Sequence, residues 1–134
     1  MTKSEFNLIR FAIFVLNFAV SAFVVILCIV ESVEYDPVPN LICSVPFTIY
    51  ALCEWIAVYR KDRVIERRLG WANLAFAAFV GFGLVTNVGE ALMFDPDLDV
   101  IFLAWFALIG TTLVTYLAFS GWMRLRWTRK ELDT

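Results

Sequence analysis

The chain contains no histidine. That absence excludes a haem held by histidine, histidine-based zinc sites and Ser–His triads. Its three cysteines include no Cys-x-x-Cys pair, so thiol redox chemistry of the dithiol type has no basis here. No glycine-rich phosphate loop is present either. These gaps predict a chain that is not an enzyme and carries no cofactor and no metal. A fourth gap is positional. Two of the three polar stretches that interrupt the apolar sequence contain no lysine or arginine.

What remains is mostly hydrocarbon. Hydrophobic residues make up 61% of the chain, against about 45–50% in soluble domains. They are blocked together instead of spread at an amphipathic spacing, in runs of roughly the length that crosses a ~30 Å hydrocarbon core. Spans are expected at Leu8–Val30, Leu41–Tyr59, Trp71–Val88 and Val100–Trp122. The first is too long for a secretory signal, and no small-residue cleavage site follows it before Glu31. Little sequence is left over for a soluble domain. The expectation is an all-α, integral membrane four-helix bundle, built as two transmembrane hairpins in a single domain over residues 1–134.

The charges orient these spans. Lys3 and Arg10 precede or open the first. Arg60, Lys61, Arg63, Arg67 and Arg68 fill the second connection. Arg124, Arg126, Arg129 and Lys130 follow the fourth span. Glu31, Glu34 and Asp36 occupy the first connection, and Glu90, Asp95, Asp97 and Asp99 the third. Basic residues near span ends are retained in the cytoplasm during insertion, so both termini are expected in the cytoplasm or an equivalent inner compartment. The basic rim suits anionic lipid headgroups at about 1 kcal/mol per residue, which argues for anchoring in the bilayer and against nucleic acid.

Prolines punctuate the turns. Asp36-Pro37 with Pro39 breaks the chain after the first span, and Asp95-Pro96 after the third, because proline lacks a backbone donor and disfavours helix before it. Pro46, inside the second span, bends that helix or marks a late start. The stretch Glu31 to Pro37 aligns with Glu90 to Pro96 in its acid, aromatic ring, aspartate and proline, as a parallel internal repeat of the two hairpins would. Trp71, Trp122 and Trp127 fall at the basic boundary, where an aromatic belt would place them.

Glu54 is the one ionisable residue well inside a span, roughly 6 Å to the basic side of the middle of the second helix. An intramembrane carboxylate suggests a proton relay, a cation site or a counter-ion. The structural alternatives are a hydrogen bond to another helix or a reach toward the basic connection. Asn17, Asn73, Thr111 and Thr115 are its candidate polar companions; depth alone permits a cluster of Glu54 with Thr115 and Asn73, and Thr111 and Thr115 share one face at i, i+4 spacing. Ala77 and Gly81 fit a small-xxx-small packing pair. The second candidate group is the acidic cluster Glu90, Asp95, Asp97 and Asp99. It lacks the glycine turn and distal glutamate of a calcium loop, so a solvated loop is the favoured reading. Cys28 and Cys43 fall at similar depth and could bridge if their helices adjoin, whereas Cys53 reads as packing.

Four spans and an intramembrane glutamate are similar to the small multidrug transporters. In that family the glutamate lies in the first span and the charge bias is weak. Here Glu54 lies in the second and the bias is complete, so no family is assigned. The leading expectation is an accessory or scaffold subunit, partnered by the lipid bilayer and by another membrane protein or further copies of itself. The alternative is a small oligomeric proton- or cation-coupled transporter or channel built on Glu54.

Overall fold

The computed structural model describes residues 2–133. Among these there are four α-helices and no strand: α1 (Lys3–Glu34), α2 (Pro37–Tyr59), α3 (Arg63–Phe94) and α4 (Val100–Leu132). All four are long and apolar enough to cross a membrane. The expected all-α class with four candidate membrane spans therefore holds. The helices outrun their apolar windows. At 1.5 Å per residue, α1, α3 and α4 are each about 48–50 Å long and α2 about 35 Å, against a ~30 Å core. Their surplus lies largely in charged turns, where water or headgroups can satisfy the helix ends.

Each helix start carries an oxygen-bearing cap. The Thr2 hydroxyl accepts from Glu5 N at 3.2 Å, and Glu5 Oε2 accepts from Thr2 N at 2.7 Å, a reciprocal capping box. Asp36 accepts from Val38 N at 3.2 Å, with Pro37 as the first helical residue. Asp62 accepts from Val64 N at 3.0 Å and Ile65 N at 3.2 Å. Asp99 accepts from Ile101 N at 3.0 Å and Phe102 N at 3.1 Å. Several connection acids thus have a local structural job, pairing the orphan amides of a helix start. Asp36-Pro37 opens α2 more than it closes α1. Pro46 lies within continuous helix, so it does not delay the start of α2.

The turn before α3 is tight. Lys61 adopts φ 52°, in the left-handed region that a Cβ disfavours. Lys61→Gly is expected to raise stability by about 1 kcal/mol, read as a higher melting temperature in detergent, whereas Lys61→Val should lower it.

The chain forms two compact units, one ending at Leu69 and the other beginning at Gly70. The first holds α1, α2 and the opening turns of α3. The second holds the rest of α3 and α4. Both are hairpins, as a repeat would require, but their shared motif sits differently. Asp36-Pro37 starts a helix directly. Asp95-Pro96 forms a separate turn, closed by Asp97 N donating to Asp95 Oδ1 at 3.0 Å, before α4 begins. Cys28, Cys43 and Cys53 are all free thiols, so the bridge raised by depth is not formed.

Burial is inverted relative to a water-soluble fold. The largest fully buried side chains are Glu54, Asn73, Thr128 and Ser120, all polar. Large hydrophobics such as Phe23, Ile42, Phe79, Phe82, Phe102 and Ile109 are exposed. In hydrocarbon this is the low-energy arrangement, because lipid solvates leucine and phenylalanine but cannot satisfy an amide or carboxyl group.

Candidate functional site

Buried positions in both units concentrate toward the basic ends of the helices. On α1 they are Ile13, Phe14, Asn17 and Ser21, a stripe at helical spacing that continues back to half-buried Arg10. On α2 they are Glu54 and Ala57. Alanine at 57 leaves room for a neighbouring helix one turn from the carboxyl group. No residue of α2 before Glu54 is buried, nor any of α1 beyond Ser21.

In the first unit, Asn17 Nδ2 donates to Glu54 Oε1 at 3.0 Å, joining α1 to α2. Glu54 has 0% exposure and Asn17 4%, so both side chains are buried at the α1–α2 contact. Phe14, Phe18 and Trp55 cluster beside it, with ring centroids 5.9 to 6.4 Å apart. Two turns toward the basic end lies an ionic group. Arg10 grips Glu66 with two donors: Nε reaches Oε1 at 2.8 Å, and Nη2 pairs with Oε2. Arg63 Nη1 donates to the same Oε2 at 3.0 Å. The α1–α3 link is thus a two-pronged, charge-assisted contact, whose fork geometry only arginine offers.

In the second unit, Asn73 Nδ2 donates to Ser120 Oγ at 2.9 Å, joining α3 to α4. Beside it the two helices cross at glycines. A Cβ placed on Gly121 would lie 2.7 Å from the Gly70 carbonyl oxygen, and one on Gly70 would lie 3.1 Å from that of Gly121. Arg124, Trp127 and Thr128 are buried just beyond, and Thr128 Oγ1 donates to the Arg124 carbonyl at 2.6 Å.

The structure thus brings together two of the residues singled out by sequence, Glu54 and Asn17. Asn73 is buried and donates to Ser120. Thr111 and Thr115 are exposed, and the Thr115 hydroxyl bonds to the Thr111 carbonyl of its own helix at 2.8 Å. In the acidic cluster, Glu90, Asp95 and Asp99 are exposed with Asp97; Asp95 closes a turn and Asp99 caps α4. Among the described residues no group of three or more acids or cysteines could hold a metal ion. Sequence reasoning missed the Arg10–Glu66–Arg63 group, Ser120, Arg124 and Thr128. The i, i+3 spacing of Arg63 and Glu66 was a readable signal, but the reach of Arg10 across helices was not.

No known protein family, curated protein or solved structure matches the chain.

Proposed function

We propose that this chain is a non-enzymatic four-span membrane protein that serves as an accessory or scaffold subunit of a membrane assembly, with both termini in the cytoplasm. The carrying observation is the state of Glu54. It is fully buried and hydrogen-bonded to Asn17 across a helix contact, where a carrier would present its carboxyl group to an opening. The hydrogen bonds of Arg10, Glu66, Asn73 and Ser120 likewise join one helix to another. Such bonds specify which helices pair, since lipid supplies no hydrophobic drive between spans. The exposed apolar surface of the spans is then left to lipid and to a membrane partner.

The test is a pair of Glu54 variants. Glu54→Gln keeps an oxygen for the Asn17 amide and is expected to remain close to wild type in stability. Glu54→Leu strands that amide and should cost about 1–3 kcal/mol in denaturant titrations in micelles. In proteoliposomes, wild type and Glu54→Gln should both show no cation or proton flux above protein-free vesicles. In mild detergent the native protein should elute with stoichiometric subunits. A pH-dependent flux that Glu54→Gln abolishes, from a protein that purifies alone, would replace this reading with transport.

A further inference from the structure

We propose that the exposed pair Trp122–Arg126 on α4 is a binding site for the phosphate of an anionic phospholipid. The site is independent of the scaffold reading and lies wholly within the second unit. It stands where α4 passes from apolar to basic sequence. Trp122 is 50% exposed, so its ring faces outward from the helix at the level where interfacial tryptophans settle. Arg126 follows one turn later, and its guanidinium carbon sits 5.2 Å from the centroid of that ring. The cation–π contact fixes the guanidinium plane near the membrane surface, where a free arginine would wander. Arg126 is itself exposed, and among the described residues none of its N–H groups has a hydrogen-bond acceptor. A positioned guanidinium with open donors at headgroup depth is matched by a phosphate ester, which takes two parallel N–H···O bonds.

The surroundings choose among lipids. Phe119 is exposed on the same face one turn deeper, giving an acyl chain an apolar path below the phosphate. Arg129 and Lys130 stand in the last turn of α4. Arg129 is turned toward Asp133 at 3.8 Å, so it contributes field more than a direct contact. A net-negative headgroup is favoured there, and the choline ammonium of a zwitterionic lipid is repelled. Inorganic phosphate shares the ester's oxygens but gains nothing from Phe119 or from bilayer depth.

The experiment is native mass spectrometry of the full chain released from micelles containing equal phosphatidylglycerol and phosphatidylcholine. Wild type is expected to retain a phosphatidylglycerol adduct preferentially. Arg126→Gln and Trp122→Leu should each weaken retention by about tenfold, the loss of one charge-assisted bond set or of the contact that orients it. Arg126→Lys should keep only part of it. Arg68→Gln, which removes an exposed basic residue with no ring partner among the described residues, should leave the adduct intact, and millimolar inorganic phosphate should not displace it. Because Arg126 is exposed, lipid-free melting temperatures should be unchanged and a folding defect would be visible. Equal retention of both lipids, equal loss in Arg68→Gln, or displacement by inorganic phosphate would each overturn the site.

Discussion

Replacing Gly121 with leucine is expected to pull α3 and α4 apart and to cost more than any other single change in the second unit. The first atom an added Cβ meets is the Gly70 carbonyl oxygen at 2.7 Å, followed by Leu74 Cγ at 3.0 Å and Leu74 N at 3.1 Å. Two of those three are backbone atoms, so no rotamer change relieves the clash. The helices must separate, and separation stretches the Asn73–Ser120 bond, 2.9 Å in the native hairpin. Overpacking of this kind costs about 1–3 kcal/mol, and loss of an interhelical hydrogen bond in a membrane adds roughly 0.6 kcal/mol. Gly121→Ala should therefore lose about 3 kcal/mol, and Gly121→Leu should fail to form the hairpin at all.

Two other glycines provide the controls. The three atoms nearest a Cβ on Gly110 all belong to the Leu84 side chain, the closest its Cδ1 at 2.6 Å, and the end of that side chain can rotate away, so Gly110→Ala should be mild. A Cβ on Gly83 meets nothing within 4 Å, and Gly83→Ala should gain up to about 1 kcal/mol from helix propensity. Denaturant titration of the four proteins in one detergent ranks them. Gly121→Ala unfolding with Gly110→Ala would show that the crossing is not the close backbone contact described.

These glycines also mark where sequence legibility stopped. Gly70 and Gly121 each precede an exposed tryptophan, Trp71 and Trp122, at the basic ends of their helices. The matching Gly-Trp pairs are a readable hint of a close crossing that spacing alone does not single out, whereas Ala77 and Gly81 stand out by their small-xxx-small spacing. Ala77 is buried, while a Cβ on Gly81 would meet Val114 at an ordinary 3.8 Å. The spans themselves were plain, because hydrocarbon demands long apolar runs. The helix ends were not, since α3 begins at Arg63 and α4 continues to Leu132 in sequence that hydropathy alone assigns to connections. Helix propensity and aspartate caps decide those ends instead.

The polar core was half legible for a related reason. Depth can be counted along a sequence, and it allows Thr115 and Asn73 beside Glu54, whereas the structure places Asn17 there. Rotation about each helix axis cannot be counted so simply. Thr111 and Thr115 have a suitable spacing to face inward, yet they are exposed and Thr115 bonds to its own backbone. Serine and threonine can return their hydroxyl to a carbonyl one turn back, and exposed Asn87 does the same with its amide, donating to the Gly83 carbonyl at 2.7 Å. Residue type alone therefore does not mark the buried face: Asn17, Glu54, Asn73, Ser21, Ser120 and Thr128 are buried, whereas Asn87, Thr111 and Thr115 are not.

Glu66→Ala is expected to be the most damaging substitution in the first unit. Two guanidinium groups converge on this carboxylate, Arg10 with two donors and Arg63 with one. The Glu66 side chain is 7% exposed and that of Arg10 16%, so water screens the group poorly. Removing the acid leaves a half-buried pair of like charges without the counter-charge that held them, and breaking a buried ion pair from one side costs about 3–5 kcal/mol. Arg10→Ala should cost less, because Arg63 still neutralises Glu66. Replacing both Arg10 and Glu66 with leucine should recover part of the loss, since a buried pair removed whole takes its desolvation cost with it. The measurement is a double-mutant cycle by denaturant titration, with limited proteolysis in the first turns of α3 as a second readout. Detachment of α3 from α1 should fray those turns and raise cleavage after Arg63, Arg67 and Arg68 in Glu66→Ala above the wild-type rate, and leave it near wild type in the double leucine variant. Equal stability of Glu66→Ala and wild type would mean that the arginines are solvated independently and that the Arg10–Glu66 contact does not hold α1 to α3.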